Sequence, residues 1–102
     1  MSELTIVIPS RSEEFLTNTI QDILLHREAE TEIIAVLDGA WAVTPIPMHK
    51  DLTVIYHPKS RGQRGATNDA VRIAKSKYIM KCDAHCAFDQ GFDVKMLDAF
   101  KE

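Results

Sequence analysis

Cysteine is scarce in this chain. There are two, Cys82 and Cys86, within five residues of each other and beside Asp83 and His85. That spacing is no disulfide framework. It marks a local site or two buried thiols, and with them a reducing, cytoplasmic setting. Long apolar runs are missing too. None approaches the ~18 residues of a membrane span. Leu4 to Ile8 is too short for a signal core, and Met1-Ser2-Glu3 is no basic leader. There is no Gly-x-x-x-x-Gly-Lys-Ser/Thr and no Gly-x-Gly-x-x-Gly, so ordinary ATPase and dinucleotide readings lose support. The glycine-rich opening loop of a nucleotidyltransferase is absent, as is any Ser-His-Asp spacing. A net charge of -3 speaks against a broad nucleic-acid surface, although Lys59, Arg61 and Arg64 leave room for a local anion site.

What is present suits one soluble domain with a modest core: 102 residues, 45% hydrophobic and 26% charged. No repeat, low-complexity tract or linker divides it. Leu4-Thr5-Ile6-Val7-Ile8, closed by Pro9, reads as a buried strand. Ser10-Arg11-Ser12-Glu13 fits a capping box, with Glu13 and Glu14 in the first turn of a helix reaching about Arg27. Phe15, Leu16, Ile20, Ile23 and Leu24 give that helix its apolar face. A second strand, Glu32 to Leu37, stops at the turn signal Asp38-Gly39. The segment from Ala40 to Lys50 carries Pro45 and Pro47, which disfavour a long helix.

Leu52 to Tyr56 is the third strand and Gln63 to Lys75 the second helix. Ala66, Ala70, Ile73 and Ala74 share one face of that helix, small enough to lie close to a sheet. Tyr78 to Cys82 is the fourth strand, and Phe92, Met96, Leu97 and Phe100 mark a final helix. The order β-α-β-β-α-β, with strands that do not alternate, predicts an α/β Rossmann-like sandwich. Its sheet is parallel, in order 3-2-1-4, and covered on both faces.

Parallel sheets bind ligands beyond the carboxyl ends of their strands. Asp38 and Asp83 end two strands there, and Ser10 and Arg11 lie in the loop after the first. Asp83 and His85, one position apart, form a compact pair for Mg²⁺ or Mn²⁺, with diphosphate oxygens and water filling the other positions. A zinc site from Cys82, His85 and Cys86 is the rival, and it needs a fourth ligand. Either aspartate could instead be only a turn or a cap. Lys59, Arg61 and Arg64 flank Gly62 and Gly65 just before a helix, whose N-terminus attracts phosphate. Trp41 could stack on a base or plug its loop. His26, His49 and His57 have no evident partner and read as surface or packing residues.

Together these residues resemble family 2 glycosyltransferases of GT-A fold. The resemblance is carried by four segments. They are Ile6-Val7-Ile8-Pro9-Ser10-Arg11-Ser12-Glu13, the Glu32 to Gly39 run, Arg61-Gly62 with Ala66 and Asn68, and Tyr78-Ile79 leading to Asp83-Ala84-His85. The Asp83-Ala84-His85-Cys86 tetrad is similar to the metal motif of polypeptide N-acetylgalactosaminyltransferases. The likeness covers Leu4 to about Phe92. It departs at Leu37, where the family often has a second aspartate, at Ser60, where Asn is common, and at Thr67, where Arg is common.

The resemblance implies a nucleotide-sugar donor, usually UDP-linked, and a divalent metal. Pro9, Ser10, Arg11 and Asp38 would border the base, and Arg61 to Arg64 would face the nucleotide. Asp83 would meet ribose and metal, and His85 the metal. On this expectation residues 1–102 are the nucleotide-binding half of a glycosyltransferase domain, inactive in transfer alone and prone to self-association. The acceptor would be a saccharide or protein. A non-catalytic nucleotide-sugar-binding module is the alternative.

Overall fold

The computed structural model describes residues 3–11, 15–39, 45–82 and 88–101. Four strands and three helices run in the order β1 (Leu4–Ser10), α1 (Leu16–His26), β2 (Thr31–Asp38), β3 (Leu52–His57), α2 (Gly62–Ile73), β4 (Tyr78–Lys81), α3 (Phe92–Lys101). The strands form one sheet in the order β3-β2-β1-β4, and every pairing is parallel. This is the predicted α/β architecture and strand order.

Side-chain alternation divides the core. Leu4, Ile6 and Ile8 of β1, with Ile33, Ala35 and Leu37 of β2, face one way. They pack against Leu16, Ile20 and Ile23 of α1 and Phe92 and Leu97 of α3. Val7, Ile34 and Val36 face the other way and meet Ala66 and Ala70 of α2. Each fully buried isoleucine of this kind contributes roughly 1.5–3 kcal/mol. The central strands are therefore buried on both faces, as their unbroken apolar runs require. The edge strands are not: Val54, Tyr56 and Ile79 stay exposed, and α2 packs mainly on the central β1 and β2.

Two local expectations need correction. α1 starts at Leu16 with Phe15 at its cap and no acidic residue in its first turn, so the capping box does not open it. The reason is that β1 extends through Ser10, which pairs with Leu37 and is not free to cap a helix. Ser12, Glu13 and Glu14 lie outside the described residues. α2 ends at Ile73, and Ile73 turns outward while Ala74 packs with Ala66 and Ala70.

The connection between β2 and β3 returns past α1, where the Thr17 hydroxyl donates to the Pro45 carbonyl at 2.8 Å. Below the sheet, Arg27 Nη1 donates to the Thr31 carbonyl at 2.7 Å and to Asp51 Oδ2 at 2.8 Å. That hydrogen bond to Arg27 holds the Asp51 carboxyl below its usual value. Asp93, at the start of α3, is fully buried there. It accepts the backbone N–H of Glu28 and Ala29 and the Thr31 hydroxyl at 2.8, 3.0 and 2.7 Å. A hollow of about 460 Å³ lined by Arg27, Glu30, Lys50 and Asp51 also lies at this end, away from the strand termini where ligands bind. Among the described residues, no helix is long and apolar enough to cross a membrane.

Candidate functional site

The parallel register carries the ends of β1, β2 and β3 to one edge. Ser10 pairs with Leu37, and Asp38 pairs with His57. Above them opens a cleft of about 240 Å³ walled by Pro9, Ser10, Arg11 and Asp38, with Ser60, Gly62, Gln63 and Ala66 from the start of α2 opposite. Four residues expected at a ligand site from sequence, Pro9, Ser10, Arg11 and Asp38, thus share one cleft.

Asp38 is the best-connected residue here. On β2 it follows Ile34 and Val36 at strand spacing, so it points to the α2 side of the sheet. Its Oδ1 accepts from His57 Nδ1 at 2.8 Å and from the Arg61 N–H at 2.9 Å. Its Oδ2 accepts from the Ser60 hydroxyl at 2.7 Å and the Gly62 N–H at 2.9 Å. Burial alone would raise its pKa. The Arg61 N–H, the Ser60 hydroxyl, His57 and the Gly62 N–H outweigh that and bring it to about 2. Asp38 is therefore an anion seated on the N-terminus of α2, where the helix dipole favours it. Two of the amides that the sequence offers to phosphate are engaged by this carboxylate.

The turn beyond β2 needs glycine. Gly39 has φ +85, and a Cβ there would lie 3.0 Å from the Ser60 Cβ. Its N–H donates to the His57 carbonyl at 2.8 Å, which locks the β2 and β3 ends together.

His57, read from sequence as surface or packing, is central to the network. Its Nε2 lies 2.8 Å from Asp69 Oδ2 on α2, while its Nδ1 is on Asp38. Arg61 Nη1 reaches the same Asp69 oxygen at 2.6 Å. Arg61, expected at the nucleotide, does not line the cleft: its N–H is on Asp38 and its guanidinium turns to Asp69. Arg64 is exposed on α2 and does not line the cleft. His26 and His49 also have partners, the Asp22 carboxylate at 3.0 Å and the Asp51 N–H at 3.0 Å. Sequence reasoning missed His57 and Asp69 at the site, whereas Gln63 lay within the Arg61 to Arg64 segment expected there. A charge of each sign at i and i+8 on the path into α2, Arg61 and Asp69, was the available hint.

Ser10 differs from its neighbours. It is buried, and its hydroxyl has no hydrogen-bond partner among the described residues. An unpaired buried hydroxyl costs about 1–3 kcal/mol.

Asp83 and His85, the expected metal pair, lie outside the described residues, as do Trp41 and Cys86. Among the described residues no group of three or more His, Cys, Asp or Glu could hold a metal ion. The Cys82 N–H donates to the Val7 carbonyl at 2.9 Å, beside β1 and one residue before Asp83. One carboxylate and one imidazole are a donor set suited to Mn²⁺ or Mg²⁺ with outside oxygens completing the shell.

The family model described as Glycosyl transferase family 2 matches residues 5–102 of the chain. No curated protein matches it.

Proposed function

Because the chain belongs to glycosyl transferase family 2, we propose that the cleft beyond β1 and β2 binds a nucleoside-diphosphate sugar, a UDP-sugar foremost, for transfer to a saccharide or protein acceptor. The observation that carries this reading is the convergence of Pro9, Ser10, Arg11 and Asp38 on one cleft at the carboxyl ends of the parallel strands. The Ser10 Oγ would hydrogen-bond the nucleoside. Arg11 would face the anionic part of the ligand. Asp38 would hold the Ser60 to Gly62 wall in place beside the base. Arg64, exposed on α2, would add positive potential on the α2 side of the cleft, which favours a diphosphate.

Asp83 and His85 would hold a divalent cation, in the manner of the polypeptide N-acetylgalactosaminyltransferase motif they resemble. A cation bound there supplies charge neutralisation for a departing diphosphate. In this reading residues 1–102 are the donor-binding half of a GT-A domain.

The test is calorimetric titration of nucleoside diphosphates and nucleotide sugars with and without Mn²⁺, joined to amide-shift mapping. UDP binding that strengthens with Mn²⁺ and perturbs Ser10, Arg11 and Gly62 is expected. Binding that maps instead to Arg27 and Lys50 would overturn the assignment of the cleft. Transfer is a separate question, because it requires a base within reach of an acceptor hydroxyl. Asp93, the buried carboxylate of α3, is committed to the opposite end of the sheet. The 102-residue chain is therefore expected to bind donor without glycosylating acceptors. Metal-dependent glycosylated product would contradict that.

A further inference from the structure

His57 lies between two carboxylates, and that arrangement has a chemical requirement. Nδ1 is 2.8 Å from Asp38 Oδ1 and Nε2 is 2.8 Å from Asp69 Oδ2. A carboxylate only accepts, so both bonds exist only when both ring nitrogens carry a proton. Asp38 comes from β2 and Asp69 from α2, and Arg61 shares Asp69. These are the charged side chains paired with the ring among the described residues. Two anions thus alternate with two cations, and the cluster is neutral. It is also shielded: the side chains of His57, Asp38 and Asp69 are 12%, 7% and 16% exposed.

Loss of one ring proton would turn one nitrogen lone pair toward a carboxylate oxygen. It would also leave a net negative charge in a poorly solvated place. Both changes oppose the closed arrangement.

Asp38 also holds the far wall of the cleft through Ser60, Arg61 and Gly62. We infer that His57 is a proton-controlled positioning residue. Its doubly protonated ring clamps Asp38 to α2 through Asp69, and release of one proton loosens the Ser60 to Gly62 wall. The clamp stands on this geometry alone. Its effect on ligand rests on the donor reading proposed above.

The two parts are separable by experiment on the 102-residue chain. Proton–nitrogen correlation spectra of the imidazole, recorded from about pH 5 to about pH 9, report the state of both ring nitrogens. The expected result is a ring protonated at both nitrogens at the acidic end. The Arg61 and Gly62 amide signals should then move with the same midpoint as the ring. A ring that is neutral throughout, or amide signals that do not follow it, would overturn the clamp.

In parallel, calorimetric affinity for UDP with Mn²⁺ should weaken about tenfold across that midpoint, the usual worth of a charged hydrogen bond. Asp69→Asn supplies an amide N–H that can donate to an unprotonated Nε2, removes the need for the second proton and should flatten the pH profile while UDP still binds. An unchanged profile in Asp69→Asn would overturn the positioning role. Failure of UDP to bind the native chain at every pH would sink the donor reading, and the spectra would still decide the clamp.

Discussion

Two buried aspartates staple the two ends of the sheet, and they do so differently. Asp93 sits below it and Asp38 above it, at opposite ends of β2. The strand is eight residues long, so Thr31, which Asp93 holds, and Asp38 are roughly 23 Å apart at ~3.3 Å per residue. Asp93 accepts from the Glu28, Ala29 and Val94 N–H groups and from the Thr31 hydroxyl. All of these are uncharged donors, and no histidine is among them. Asp38 accepts a similar number of bonds, but one comes from His57 and the whole borders a cleft. The lower staple is closed by uncharged donors alone, whereas the upper one includes a histidine at the edge of a cleft and answers to protons. The same chemical device thus serves stability at one end of a strand and adjustability at the other.

The largest effect should come from breaking the lower staple. Asp93→Ala leaves three backbone N–H groups and the Thr31 hydroxyl without their acceptor, so urea melts should show a loss of about 3 kcal/mol. A change below a few tenths would mean that water replaces the carboxylate freely. Next is the acid response of the upper staple. The Asp38 value is lowered from 3.8 to about 2 in the fold. A lowered carboxyl value stabilises the fold fully above the unfolded value, and that contribution disappears as pH falls through the folded one. Stability should drop on the order of 2 kcal/mol between about pH 4 and about pH 2. Asp38→Asn should remove that component of the acid transition.

How much of this contrast is legible in the chain differs for the two ends. The β-branched runs of β1 and β2 declare buried parallel strands, because only a sheet covered on both faces tolerates them. The order 3-2-1-4 and the crevice above Ser10 and Asp38 follow from the same pattern. Asp93 falls within the final helix that Phe92, Met96, Leu97 and Phe100 mark, but its partners lie 62 to 65 residues away in sequence. No local pattern marks such a staple. His57 went unread for a similar reason: its two carboxylates come from β2 and α2, and only the register Asp38 with His57 brings them together. Ser10 was assigned both a cap and a site role. The strand took it from the first and left it available for the second.

A smaller change should come from the turn that supports the upper staple. Gly39→Ala puts a side chain at φ +85 and against Ser60. A cost of about 1–2 kcal/mol is expected from backbone conformation and crowding. Because the Ser60 hydroxyl is displaced from Asp38, nucleotide affinity should fall along with stability. If stability falls while affinity holds, Ser60 is not part of the wall that matters.

The smallest change in stability, and the most selective in function, should come from Ser10→Ala. The hydroxyl is buried, yet it has no partner among the described residues. Removing a satisfied hydroxyl destabilises, whereas removing an unsatisfied one relieves a desolvation cost without losing a bond. The variant should therefore melt at or slightly above the native midpoint, by no more than about 1 kcal/mol. The position is the end of β1, already extended and paired with Leu37, so alanine fits the backbone without strain. Affinity should move the other way. If the cleft takes a nucleoside against Ser10, loss of that hydrogen bond should weaken UDP binding about fivefold to tenfold. Opposite signs in the two measurements are what distinguish a group held in reserve for a ligand from one that merely packs. Equal losses in both would show that Ser10 is bonded within the fold, and the upper end of the sheet would then be as closed as the lower.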